Sequence, residues 1–211
     1  MPEIVMTTKA CFNYSQQFES LLHLVSETEA KAVSGQDEYF TNNLNFFCKS
    51  FLITLCSYLE SYLKEAASVV INEMNARLQA NPVPHNIIKW HFDKKNTNTK
   101  EFQFKQLSIQ ISDAEIDESI SGNVYKTTTL FGKLGIDLNT DEDFKEKKET
   151  ISSIVSKRNK IVHYNDAASD LSLSDIRTVA KNFKEYIVCI DKVMTKAIYP
   201  CITQPFSPEA E

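Results

Sequence analysis

Residues 38–79 read EYFTNNLNFFCKSFLITLCSYLESYLKEAASVVINEMNARLQ, and this stretch decides the fold. Its apolar residues recur at Phe40, Leu44, Phe47, Phe51, Leu55, Tyr58, Tyr62, Ala66 and Val69, in steps of three and four that keep them on one helical face. Leu52, Leu59, Leu63 and Val70 widen that face beyond what a surface helix needs. No Gly or Pro interrupts the run, and Asn81-Pro82-Val83-Pro84 ends it. The spacing predicts one long helix that forms the spine of a bundle. Cys48 and Cys56 fall on its apolar side as core thiols, and Phe46, Phe47 and Phe51 read as core or dimer interface.

Outward from the spine the pattern stays helical. Residues 12–33 carry Phe12, Phe18, Leu21, Leu22 and Val25 on one face, with Gly35 as the stop. Residues 124–135 read as a short helix closed by Gly135, and Thr140-Asp141-Glu142-Asp143 has the character of a capping box opening a helix to about His163. Ser172 or Ser174 caps a last helix through Val179, Phe183, Ile187, Ile190, Val193 and Met194, which stops near Tyr199-Pro200. Residues 81–123 differ in texture. A short helical turn at His85–Phe92 carries the sole tryptophan, Trp90, and a polar loop follows. Phe102/Phe104 and Leu107/Ile109/Ile111 then alternate with strand periodicity, and a short helix starts at Asp113 and ends at Gly122-Asn123. The expectation is an all-α bundle of five to six helices in one domain over 1–211. An irregular or β-hairpin insertion occupies 81–123, and 201–211 form a loose tail.

Composition agrees with that class. With 4 Gly and 6 Pro, the chain lacks the tight turns a β-sandwich of this length would need. A net charge of -5 excludes a global basic field, so contact with nucleic acid has to come from a local patch. The 5 cysteines form no CxxC and sit in apolar runs, as reduced thiols of a cytoplasmic protein do. The first residues lack the apolar core of a signal peptide, and nothing approaches the ~18 uninterrupted apolar residues of a membrane span.

Residues 151–166, ISSIVSKRNKIVHYND, carry the candidate chemistry. On a helix, Ile151, Ile154, Val155 and Val162 share a face, and Arg158 falls on the same stripe. A guanidinium there is costly unless it meets an anion or opens into a polar cleft. His163 stands five residues on, rotated about 140°, where the helix has to end; Arg158 is long enough to curl toward it, so both could border one pocket. The residues alone leave two readings open. In one, Arg158 pairs with an internal carboxylate, for which Glu60 on the spine is the candidate, and His163 offsets the helix dipole. In the other, both serve a site.

Arg158-Asn159-Lys160-Ile161-Val162-His163 resembles the Rx4-6H signature of the HEPN superfamily, and 55–65 (LCSYLESYLKE) resembles the earlier core helix of such domains, where an apolar stripe carries a Glu. The resemblance covers residues 40–80 and 140–198. It implies a helical bundle that forms a homodimer, bringing two motifs together across a twofold axis. It also implies a metal-independent endoribonuclease in a toxin–antitoxin or antiviral-defence setting, with an antitoxin or defence-system protein as partner. Carried over, His163 is the general acid/base, Arg158 grips the scissile phosphate and Asn159 orients it, giving 2′,3′-cyclic phosphate ends with no cofactor or metal. Some members are catalytically silent dimerisation or interaction modules. The chain departs from the family after the histidine. Tyr164 stands where many members have Gly, and Asn165 stands where many toxins carry a Tyr that an antitoxin modifies.

Other clusters carry less. His85 and His91 flank Trp90 near Asp93, but without helical i, i+4 ligand spacing, so no metal site is expected there. Gly132-Lys133-Leu134-Gly135 lacks phosphate-loop spacing, and Lys145, Lys147 and Lys148 alternate with acids as a solvated face does. A further reading, an accessory subunit of a defence system, would use 81–123 as a contact surface for DNA or a nucleotide.

Overall fold

The computed structural model describes residues 7–35, 38–92, 105–120, 122–164 and 170–199. In chain order the helices are α1 (Lys9–Ser34), α2 (Glu38–Asn42), α3 (Leu44–Ala80), α4 (His85–Phe92), α5 (Asp113–Ser119), α6 (Val124–Lys133), a 3₁₀ turn at Leu138–Thr140, α7 (Glu142–Tyr164) and α8 (Leu173–Ile198). The bundle is therefore all-α, as the periodicity requires, and the described residues contain no strand. Three local devices set the helix starts. The Thr8 side chain accepts from the Cys11 N–H at 3.1 Å. Ser172 and Asp175 form a reciprocal capping box at α8. The Asp141 side chain accepts from the Phe144 N–H at 3.0 Å at α7.

α3 is the axis, packing against α1, α7 and α8. Leu52, Leu55, Leu59 and Leu63 are buried along it and meet Phe18 of α1, Phe144 of α7, and Phe183 and Tyr186 of α8 in one core. Each such side chain contributes about 1.5–3 kcal/mol by leaving water. Tyr62 is fully buried, and its hydroxyl donates to the Ile187 carbonyl at 3.0 Å, whereas the equally buried Tyr186 hydroxyl has no hydrogen-bond partner among the described residues.

The spine is not continuous. It breaks at Asn43, whose backbone leaves the helical region (φ -112, ψ 13) and whose side-chain amide donates to the Tyr39 carbonyl at 2.8 Å. Asn competes for backbone hydrogen bonds in this way, which no Gly or Pro signal announces. The five residues of α2 contain none that is buried. The aromatic pattern around the break builds a surface ladder instead: Phe40 stacks on Phe47 at 5.6 Å, and Phe47 on Phe51 at 6.2 Å. Only Phe51 of the three phenylalanines read as core or interface is buried; Phe46 is 64% exposed.

The strand pattern at 107–111 gives no hairpin. One isolated bridge joins Pro84 and Gln106. Beyond it, Asn75 of α3 takes both backbone groups of Ile109, accepting from its N–H at 2.8 Å and donating to its carbonyl at 3.0 Å. A side chain of the spine has done what a neighbouring strand would do. Phe102 and Phe104, the polar loop from Asp93 and the tail at 201–211 lie outside the described residues.

Cys11, Cys48, Cys56 and Cys189 are free and buried. Burial pushes the Cys11 and Cys56 thiols up to about 12, which leaves them protonated and unreactive at neutral pH. A thiol-labelling reagent added to the native protein is expected to leave these four untouched until denaturant is present. Rapid native labelling of any of them, read by mass spectrometry, would contradict this packing. No helix among the described residues is long and apolar enough to cross a membrane.

Candidate functional site

α7 positions the candidate pair. Phe144, Ile151 and Val155 are buried on its inner face, and the next residue of that stripe is Arg158. The apolar stripe outruns the bundle one turn later. Val162, on the same stripe, is 48% exposed, while Ile161 at the stripe's edge is buried at 7%. The face that Val162 shares with Ile151, Ile154 and Val155 therefore leaves the core at its end, because the last turn of α7 projects past the core and only its Ile161 side remains covered.

Arg158 turns inward and is only 17% exposed, facing Glu60 of α3 at 24%. Its Nη2 donates to Glu60 Oε1 at 3.2 Å and Oε2 at 3.1 Å, and its Nη1 donates to Asn159 Oδ1 at 3.0 Å. Nε is buried with no hydrogen-bond partner among the described residues. The guanidinium is thus neutralised by an acidic neighbour, yet one donor is unused. An unmatched buried N–H costs about 1–3 kcal/mol unless something meets it.

The turn between α5 and α6 closes over this pair. Gly122 has φ +65, and a Cβ built on it would lie 3.3 Å from Glu60 Oε1 and 3.6 Å from Val155 Cγ2. The left-handed backbone favours glycine, and an added Cβ would also press on the Glu60 carboxylate. Gly122→Ala should cost about 1–2 kcal/mol, a fall in Tm of about 2–8 °C by calorimetry. An unchanged Tm would mean that the turn tolerates a side chain at this left-handed position and does not press on Glu60.

His163 is on the exposed side of the last turn and makes no hydrogen bond to Arg158, Glu60 or Asn159. In a single copy the structure therefore joins Arg158, Asn159 and Glu60 and leaves the imidazole outside that set. Asn159 is the link between the two faces. It holds Arg158 Nη1 and, standing at i−4 from His163, shares a helix face with it. Lys160, at i−3 from His163, is exposed, and Lys157 pairs with Asp170. Tyr164, the neighbour of His163, is 82% exposed, and Asn165 lies outside the described residues.

Other ionisable clusters are occupied. Asp141, Asp143 and Cys189 place ligand atoms within 4.8 Å of one another. However, Asp141 Oδ2 accepts from Lys192 Nζ at 2.8 Å, and burial pushes the Cys189 thiol up to about 11. A lysine in the ligand position and a protonated thiol are a poor donor set for a cation. In the groove between α1, α7 and α8, Lys147 pairs with Glu185 and Lys184 with Glu19, so these four lining charges offset one another.

Compared with known proteins, the chain matches the family described as RiboL-PSP-HEPN over residues 13–196. No curated protein and no solved structure matches it.

Proposed function

We propose, from the premise that this chain belongs to the RiboL-PSP-HEPN family, that it is a metal-independent endoribonuclease acting as a homodimer in a toxin or antiviral-defence role. His163 is the general acid/base. It takes the proton of a ribose 2′-OH or delivers one to the leaving 5′-oxygen, a role suited to imidazole near neutral pH. Arg158 stabilises charge growing on the scissile phosphate through its guanidinium, whose plane Glu60 fixes. The observation that supports this reading is the Arg158–Asn159 bond, since Asn159 stands at i−4 from His163 and shares its helix face. A second copy docking on the projecting end of α7, where Val162 and Tyr164 are exposed, supplies the other half of the groove.

The test is direct. Purified protein incubated with single-stranded RNA in excess chelator should give products with 2′,3′-cyclic phosphate and 5′-hydroxyl ends. DNA of the same sequence should be inert because it lacks the internal nucleophile. Cleavage that requires an added divalent cation, or equal cleavage of DNA, would reject the mechanism.

A second reading rests on the Glu60–Arg158 ion pair itself. In a non-catalytic interaction module the pair is a structural clasp, His163 is a surface residue, and no RNA is cut under any condition.

A further inference from the structure

The second half of the segment set apart in sequence at 81–123 ends on the Arg158 set. From Gln106 onward the chain runs antiparallel to α3. Gln106 Nε2 donates to the Leu78 carbonyl at 2.6 Å, and Asn75 takes both backbone groups of Ile109. Asp117 Oδ1 meets Lys64 Nζ at 2.7 Å, and Gly122 stands over Glu60. The anchors thus step down the spine in order, from position 78 to position 60. Residues 105–120 and Gly122 form a strap whose last contact is the carboxylate that holds Arg158.

The strap is held lightly. Within 105–120 only Ile116 and Ile120 are buried, and the Gln106 bond and the Lys64–Asp117 pair lie in solvent, where such contacts hold little. A segment tied this way can lift locally while the core of α1, α3, α7 and α8 stays folded. The closed arrangement also carries a local cost. Arg158 Nε is buried beneath it with no hydrogen-bond partner among the described residues, and an empty buried donor favours any arrangement that wets it or gives it an acceptor. We propose that this strap is a gate. Closed, it keeps Arg158 folded onto Glu60 with Nε shut in; lifted, it presents the guanidinium to an anion, which on the ribonuclease reading is the scissile phosphate. Only the identity of that anion rests on the reading, because the masking concerns Arg158 itself.

An internal control exists for the test. Arg177 is paired with Glu29 as Arg158 is with Glu60, but its side chain is 38% exposed against 17%. The full chain is treated with phenylglyoxal, which condenses with guanidinium groups, in the absence of RNA, and modification is timed at each arginine by peptide mass spectrometry. In the parent, Arg158 should react more slowly than Arg177. The variant Asn75→Ala/Asp117→Ala removes two anchors and touches neither Glu60, Arg158 nor Asn159. It should raise the Arg158 rate about tenfold and leave the Arg177 rate unchanged. A parent in which Arg158 reacts as fast as Arg177, or a variant in which its rate is unchanged, overturns the gate. A rise shared equally by Arg177 also overturns it, because the whole bundle has then loosened. With labelled RNA, the same variant should cleave faster than the parent. Slower cleavage would overturn the gate and make the strap a support for Glu60. Faster Arg158 modification with no cleavage by either protein would uphold the gate and reject the ribonuclease reading, so the two failures are distinct.

Discussion

The His163→Ala protein should lose RNA cleavage by about 10²–10⁴-fold while keeping the helical circular-dichroism signal and Tm of the parent. Its side chain is exposed on the last turn of α7 and makes no hydrogen bond to the Arg158 set, so its removal takes nothing from the core. The loss should appear in kcat rather than in KM, because proton transfer belongs to the transition state. His163→Gln is a useful companion, since it keeps polarity and size but cannot shuttle a proton at neutral pH. Full cleavage by either variant, assayed on labelled RNA with end-group analysis, would leave His163 without a catalytic role and favour the structural module.

The parts of this structure that a single sequence revealed are those governed by local rules. The stripe from Leu44 onward, the Ser172 cap and the acidic opening of α7 are properties of neighbouring residues, and α3, α7 and α8 lie where those residues placed them. Arg158 was legible for a related reason, since a guanidinium on an apolar stripe requires an anion and the spine offers one in Glu60. What remained hidden depends on distant partners. The break at Asn43 comes from a side-chain bond to Tyr39, and the missing strand at 107–111 comes from Asn75 taking both backbone groups of Ile109. Gly122 looked like a helix end, and its approach to Glu60, 62 positions earlier, is a tertiary fact with no local signature. The exposure of Val162 has the same origin, because periodicity gives a residue's direction but not where the opposing helices end.

The larger stability effect should come from Glu60→Ala. It leaves the Arg158 guanidinium with only Asn159 for company under the Gly122 turn. Breaking a fully buried pair costs about 3–5 kcal/mol. With side-chain exposures of 17% and 24%, solvent screens part of that here, and about 2 kcal/mol is expected, a Tm fall of about 4–8 °C. The informative protein is the double variant Glu60→Ala/Arg158→Met, in which neither charge is left unpaired and an unbranched apolar side chain fills the space. It should recover most of the lost stability, because the single substitution is penalised mainly for stranding a charge. It should not recover cleavage, because methionine offers no donor to a phosphate. The two roles of Arg158 then separate: stability follows whether the pair is matched, and cleavage follows whether a guanidinium is present. A double variant that is both stable and fully active would show that Arg158 is only a clasp, and His163 would have to find its phosphate-binding partner elsewhere on the bundle.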